Sequence, residues 1–408
     1  MKTNTEIMEN IWEFYTTKML CKKTNLIYDF ITSDEEDGLT KNLPTVAEIK
    51  KQIPNPCGWG TGMEDSMLNN PLMLDAVIYR YEVTKDESLF ELADRLLDGI
   101  KLCSTISKDR GYLARSVSPF DGKSHYINSS RDQYTQVIFA LFHYYNSSMM
   151  RDKDKEWITD VLVSFAERAE KNVKPETNYD YLREDGGRSI VSTMWGDELL
   201  GHEVNRLHMV YLAAWYVSRD EHWFDLYKEI RDEGVQRALI KINPRMEMYG
   251  YLQMQCSIRL LYEAEPEAEY KEKYKEILDW VARLASLYRM EELDYEEVNI
   301  TFNNWRDNNA TNDKRWFAPD AGDDILIDGY VYYVPVTEGW SKIMPARNIT
   351  EAIFVRALGG QVNVTDGQME DFNRALEYYD KDRHCSYAYI AAPLSYWASR
   401  YYDEVKKD

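Results

Sequence analysis

Two aspartates, Asp65 and Asp132, stand in the same kind of place in the sequence. Each belongs to a loop that mixes glycine, aromatic and charged residues, "CGWGTGMEDS" (57–66) and "SPFDGKSHYINSSRDQYTQ" (118–136), and each precedes an apolar run. A carboxyl group whose pKa is raised by apolar or carboxylate neighbours can protonate a glycosidic or vinyl-ether group and activate water. Two carboxylates that face each other push their pKa values apart. Asp132 with Asp65 is therefore the first catalytic pair the sequence offers. A purely structural role competes at both positions. Ser130-x-x-Gln133 fits a capping box, and acids in a first helical turn gain ~0.3–1 kcal/mol from the helix dipole.

The residues around the pair extend the same chemistry. Glu64, turned about 100° from Asp65 by helical geometry, is a reserve acid. Asp197 and Glu198, after Trp195-Gly196, are reserve acids or hydroxyl binders. Trp59, Tyr126, Tyr134, Trp195 and Trp305 offer flat faces suited to sugar rings. His125, Arg131 and Arg188, with Arg115, Lys123 and Arg183, lie in or beside the same loops. Arginine grips a carboxylate through two hydrogen bonds, so a uronic acid is an expected substrate. Local pairing with Asp180, Glu184 or Asp185 is the competing expectation for these cations. His143, eleven residues after Asp132, either lines the cavity or packs in the core.

Composition narrows the classes. The formal net charge of −21 argues against binding nucleic acid or an anionic membrane, because phosphate rewards positive surface. No window approaches the ~18 consecutive apolar residues of a membrane span. The opening "MKTNTEIMENIWEF" lacks an apolar signal core, which points to the cytoplasm, or to the periplasm or exterior if a signal has been removed. Five scattered cysteines form no C-x-x-C pair and the six histidines form no H-E-x-x-H. No metal and no cofactor is expected. The expected partner is an oligosaccharide.

These residues need elements to hold them, and the apolar periodicity supplies helices in pairs. The spacing predicts helices over 7–20, 64–84, 87–106, 131–147, 153–172, 203–218, 221–240, 248–263, 266–290, 349–358, 366–379 and 385–402. Links inside the central pairs are short, which makes paired helices antiparallel neighbours. The long segments fall between pairs, at 22–63, 107–130, 173–202 and 291–348, so they gather at one end. An (α/α)6 toroid of six helical hairpins, one domain over 1–408, follows, with the helices after the long loops forming its inner ring. Small β-hairpins are expected in the long loops, at "ILIDGYVYYV" (325–334) and around Asp121-Gly122. The Asp-Gly pairs mark Asp121 and Asp328 as turn residues.

With aspartates entering the inner helices and long loops at one mouth, the chain resembles the six-hairpin glycosidase superfamily, and within it the unsaturated glucuronyl and rhamnogalacturonyl hydrolases. The resemblance implies a glycoside hydrolase acting on a uronic-acid-containing oligosaccharide. It further implies Asp132 as the acid/base that protonates a Δ4,5-unsaturated uronide, with Asp65 assisting. The Trp-x-Arg-Gly-x-x-Trp segment of the rhamnogalacturonyl enzymes is missing; "NWRDNN" (304–309) is a partial echo. Three other classes stay open. A polysaccharide lyase would use Tyr134 or Tyr126 as base and acid, with His125, Asn128 and Arg131 neutralising a uronate. A sugar 2-epimerase needs paired histidines, which are sparse. A helical scaffold without activity is the last.

Overall fold

A computed structural model describes residues 5–29, 31, 38–189, 191–240, 247–290, 305–306, 311–312, 325–327, 330–332, 335–336, 340–379 and 389–406. Its helices are α1 (Thr5–Glu13), continued by a π-helical turn Phe14–Met19, the short α2 (Val46–Lys50), then α3 (Ser66–Thr84), α4 (Leu89–Thr105), α5 (Arg131–Asn146), α6 (Asp152–Asn172), α7 (Gly201–Ser218), α8 (Glu221–Ile240), α9 (Met248–Ala264), α10 (Ala268–Ser286), α11 (Trp340–Leu358), α12 (Asp366–Glu377) and α13 (Ala391–Glu404). Helices α3, α5, α7, α9, α11 and α13 pack each on the next, and α13 returns to α3. The outer partners are α4, α6, α8, α10, α12 and, closing the ring from the other terminus, α1. This is the (α/α)6 toroid.

Sequence pattern separates the two rings. Helix α3 buries every residue from Ser66 to Tyr79, as a helix surrounded on all sides must. Outer α10 buries Tyr274, Ile277, Leu278, Val281, Ala282 and Ala285, a three-and-four spacing that presents one apolar stripe to the ring. Because inner and outer helices alternate along the chain, the inner N-termini share one mouth.

Boundaries moved where proline or local turns intervene. Helix α11 begins at Trp340, nine residues before the predicted start, and carries Pro345 inside it; proline reads as a helix stop, yet here the helix runs through it. Residues 385–388 of the last predicted helix lie outside the described residues. Four short strands are β1 (Thr311–Asn312), β2 (Ile325–Ile327), β3 (Tyr330–Tyr332) and β4 (Pro335–Val336). The β2–β3 hairpin pairs Ile327 with Tyr330 across a two-residue connection, as the Asp-Gly signal predicts. The second expected hairpin forms no strands. There Asp121 Oδ1 accepts from the backbone N–H of Lys123 (3.0 Å) and Ser124 (2.9 Å), which closes a side-chain turn instead. Among the described residues no helix is long and apolar enough to cross a membrane.

Candidate active site

Neither aspartate caps its helix. Asp65 occupies the N-cap position of α3, but its side chain makes no cap hydrogen bond. Its Oδ1 accepts instead from Arg115 Nη2 at 2.8 Å and Gln133 Nε2 at 2.6 Å. The free N–H groups at this helix start go to Asp29, which accepts from the backbone of Glu64 (2.7 Å) and Asp65 (3.3 Å) and from Asn69 Nδ2 (3.1 Å). Burial pushes the Asp29 carboxyl well above its usual range, with the charges of Asp65 and Glu64 adding to it against those two N–H donors.

The loop in front is equally tied down. Glu64, a reserve acid in the sequence reading, accepts from Gly60 N–H at 2.8 Å and offers its carbonyl to Arg115 Nε at 2.6 Å. Gly58 has φ +70°, and a Cβ there would lie 2.5 Å from the Tyr126 ring, so only glycine fits.

On α5 the cap is Ser130, whose Oγ accepts from Gln133 N–H. The Gln133 side chain leaves the expected capping box and reaches across to Asp65, linking the two helix starts through the neighbour of Asp132. Asp132 is held by Arg206 on one oxygen and by the Tyr249 hydroxyl, which donates to the other. Burial alone would raise its pKa, but Arg206, Arg131 and Tyr249 together outweigh burial and bring it below the usual carboxylate value. The shift runs opposite to the raised pKa that a general acid at Asp132 requires, and favours the ionised form. Its side chain stays 27% exposed, so water reaches it. Arg131 is itself fixed by Glu203 and by the Thr193 carbonyl at 2.6 Å. His202, in the first turn of α7, is brought down to about 4 by burial and then by Arg206, and so stays neutral. Burial and the Asp132 charge push the Tyr249 phenol well up; Asp65 also contributes, placing both aspartates in one electrostatic field.

A third side comes from α11. The Arg347 guanidinium lies 4.9 Å over the Tyr249 ring and pairs with Glu351, one turn deeper, at 2.7 Å. Glu351 is 3% exposed, and its Oε2 has no hydrogen-bond partner among the described residues. One turn below Tyr249, Gln253 Oε1 likewise has no partner among the described residues. Asp29, Arg206, Tyr249, Arg347, Glu351 and the role of His202 escaped the sequence reading. The signal that could have found Arg206, Tyr249 and His202 was positional: polar residues in the opening turns of inner helices other than α3 and α5.

Several predicted contacts are structural. Tyr134 stacks on Tyr181 (centroids 4.3 Å apart), donates to the Gly111 carbonyl, and burial pushes its phenol up to about 12. Tyr126 donates to the Ile53 carbonyl at 2.6 Å. Neither is placed to act as the base or acid of a lyase. His125 pairs with Glu184 at 3.0 Å. Trp59 is buried, its N–H bound to Asn55. Trp195 packs against His208 and under Arg237. Trp305 donates to the Asn42 carbonyl at 2.9 Å and sits under Arg306, bracing α2. Asp197 and Glu198 are exposed. His143 pairs with Asp75 at 2.7 Å in the core rather than joining the mouth.

The arginines also have partners. Arg115 faces Asp65, Arg131 faces Glu203, Arg206 faces Asp132, Arg347 faces Glu351, Arg183 faces Asp185 and Arg188 faces Asp180. At the mouth the acids Asp29, Glu64, Asp65, Asp132, Glu203 and Glu351 outnumber Arg115, Arg131, Arg206 and Arg347. A uronate entering here meets cations already opposite carboxylates, so the argument that carried a uronic-acid substrate is lost. Among the described residues no group of three His, Cys, Asp or Glu side chains is arranged to hold a metal.

No family profile matches the chain, and no curated protein sequence matches it. Solved structures do. A sugar epimerase from a ruminal bacterium superposes with a TM-score of 0.51 at 11% identity, covering 98% of each chain. Cellobiose 2-epimerase from Bacillus thermoamylovorans B4167 gives 0.51 at 12% identity, covering 98% of this chain and 100% of that one. An alpha-1,6-mannanase from Salegentibacter sp. HEL1_6 gives 0.48 at 12% identity, covering 97% and 99%. At these identities the likeness is one of fold.

Proposed function

We propose that the protein is a glycoside hydrolase acting on a neutral oligosaccharide held at the toroid mouth. The observation that carries this reading is Asp132, ionised by Arg206, Arg131 and Tyr249 yet open to water. In this role it takes a proton from the water that attacks the anomeric carbon. Asp65, aimed by Arg115 and Gln133, supplies the second carboxylate, which orients a sugar hydroxyl or steadies positive charge developing on the ring. The test is release of reducing ends from a panel of neutral α- and β-linked oligosaccharides, with Asp132→Asn run beside the wild type. Cleavage by the wild type and silence of the variant support the reading; an equally active variant ends it.

A sugar 2-epimerase is the second reading, favoured by His202. Its imidazole is neutral, lies 15% exposed at the mouth, and has no partner for Nδ1 among the described residues, which suits a base that abstracts a proton next to a carbonyl. Incubation in heavy water separates the two. Deuterium entering C2 of an uncleaved sugar marks the epimerase, and new reducing ends mark the hydrolase.

A further inference from the structure

His125 belongs to the loop that enters α5, and Glu184 to the loop that enters α7. The imidazole joins the two loops with both ring nitrogens engaged. Nε2 lies 3.0 Å from the Glu184 carboxylate, and Nδ1 lies 2.9 Å from the Lys123 carbonyl. A carbonyl oxygen and an ionised carboxylate can only accept, so each contact needs a proton on its own nitrogen. Only the imidazolium carries both. A neutral ring keeps one N–H, and in either tautomer a lone pair then faces an oxygen. The pair is open to proton exchange, since the side chains of His125 and Glu184 are 13% and 25% exposed. The loops it joins also hold the start of α5. From the second loop, the Val191 carbonyl accepts from the backbone N–H of Arg131 at 2.9 Å and the Thr193 carbonyl from its guanidinium at 2.6 Å, directly beside Asp132.

We propose that His125 and Glu184 form a proton-operated latch between these two mouth loops, closed while the imidazole is charged and released when it is neutral. The latch is independent of what the mouth binds. Burial works against the charged ring, but Glu184, the Lys123 carbonyl and Asp121 outweigh it and raise the His125 pKa above 6.5. His125 in turn lowers the Glu184 pKa, helped against burial by Ser107 and by Arg168 of α6. Tyr112, whose ring centroid lies 6.1 Å from that of His125, is kept a neutral phenol by burial. The latch is therefore complete below the unfolded-chain value near 6.5, once Glu184 is ionised, and is lost as pH rises through the higher folded value of His125. The junction also holds a backbone bond, from the Glu184 N–H to the Ile127 carbonyl at 2.9 Å, whose exchange with solvent reports its opening.

Two measurements on the full chain test the latch. The ring resonances of His125, assigned by their loss in His125→Gln, should titrate with a midpoint above 6.5, and Glu184→Gln should bring that midpoint down. A midpoint at or below 6.5, or one that Glu184→Gln leaves in place, overturns the proposal. Hydrogen exchange, corrected for its intrinsic dependence on pH, then reads the loops. In the wild type, protection of the Glu184 amide should fall as pH rises through the His125 midpoint. The expected fall is roughly tenfold for each pKa unit that separates the latched from the released imidazole. Glu184→Gln offers an amide that donates to a neutral ring or accepts from a charged one, so its protection should show no such step. Protection that stays level through the wild-type midpoint, or a step that persists in Glu184→Gln, would mean that the pair ties nothing together. Both readouts are taken without substrate, so a failure of the hydrolase reading leaves them standing.

Discussion

Asp132 and Asp75 are both aspartates on inner helices, yet they are driven in opposite directions. Asp75 lies halfway along α3, 0% exposed, with a single imidazole, His143, against it. Burial raises its pKa and His143 only partly offsets this. Asp132 lies in the first turn of α5, where the helix dipole favours an anion, and it has Arg206, Arg131 and the Tyr249 hydroxyl beside it. Two things separate them: Asp132 keeps 27% of its side chain exposed where Asp75 keeps none, and more donors gather around it. The inner N-termini collect those donors from three helices, whereas the middle of a helix collects them from one neighbour.

The comparison is broken most sharply at Asp132. Asp132→Asn should lower turnover at least ~10³-fold, as expected when a residue assisting the transition state is removed. It should also cost about 3 kcal/mol of stability, because Arg206, itself 2% exposed, loses its counter-charge. Rates and denaturant midpoints on the same preparation read both effects. A stable variant without activity would mean that the ion pair is catalytic and not structural.

The next largest effect is on stability against pH. The folded pKa of His202 is about 4, below its ordinary 6.5. Between those values the unfolded chain binds a proton that the folded protein refuses, so stability falls as pH drops from about 6.5 to 4. The loss is at most roughly 3 kcal/mol, from about 1.4 kcal/mol per pKa unit. His202→Gln should flatten that slope in denaturation curves taken across the window; an unchanged slope would show that His202 titrates normally.

Smaller again is Tyr249→Phe. Losing a hydroxyl that donates to Asp132 raises the carboxyl pKa, so the acidic limb of the rate profile moves to higher pH, with turnover down about tenfold for one lost charge-assisted hydrogen bond. Smallest is Asp75→Asn, which should leave turnover within twofold and stability within about 1 kcal/mol, since burial already raises the pKa of this carboxyl and a neutral amide carries no charge to desolvate. A large activity loss at Asp75 would erase the distinction between the two aspartates.

The fold was legible because its evidence is periodic. Paired three-and-four patterns and alternating loop lengths gave the toroid, and the helix starts at Arg131 and Asp366 and the hairpin around 328–329 were placed by local rules alone. Asp65 and Asp132 were legible because acids at helix starts stand out. The remainder was not, for a physical reason. Arg206 and Tyr249 lie on two other helices, and nothing local to α7 or α9 says that they meet Asp132. The aromatic-rich loops misled in the opposite direction. Tyr126, Tyr134, Trp59 and Trp305 were read as sugar platforms because tyrosine and tryptophan suit both a sugar face and a loop that must be packed; here they bind backbone carbonyls or pack against their own loops. Uronate recognition failed in a similar way, since a sequence shows arginines but not which carboxylates they already face.

The central claim is that sugar and attacking water meet at Asp132 inside the ring of inner N-termini. A crystal structure of Asp132→Asn soaked with an oligosaccharide that the wild type cleaves tests it most directly. The account predicts a sugar ring seated between Asp65 and Asn at position 132, with a water against the Asn amide on the face opposite the leaving group. A sugar bound away from Asp65 and position 132, or no sugar at the mouth at all, would contradict it.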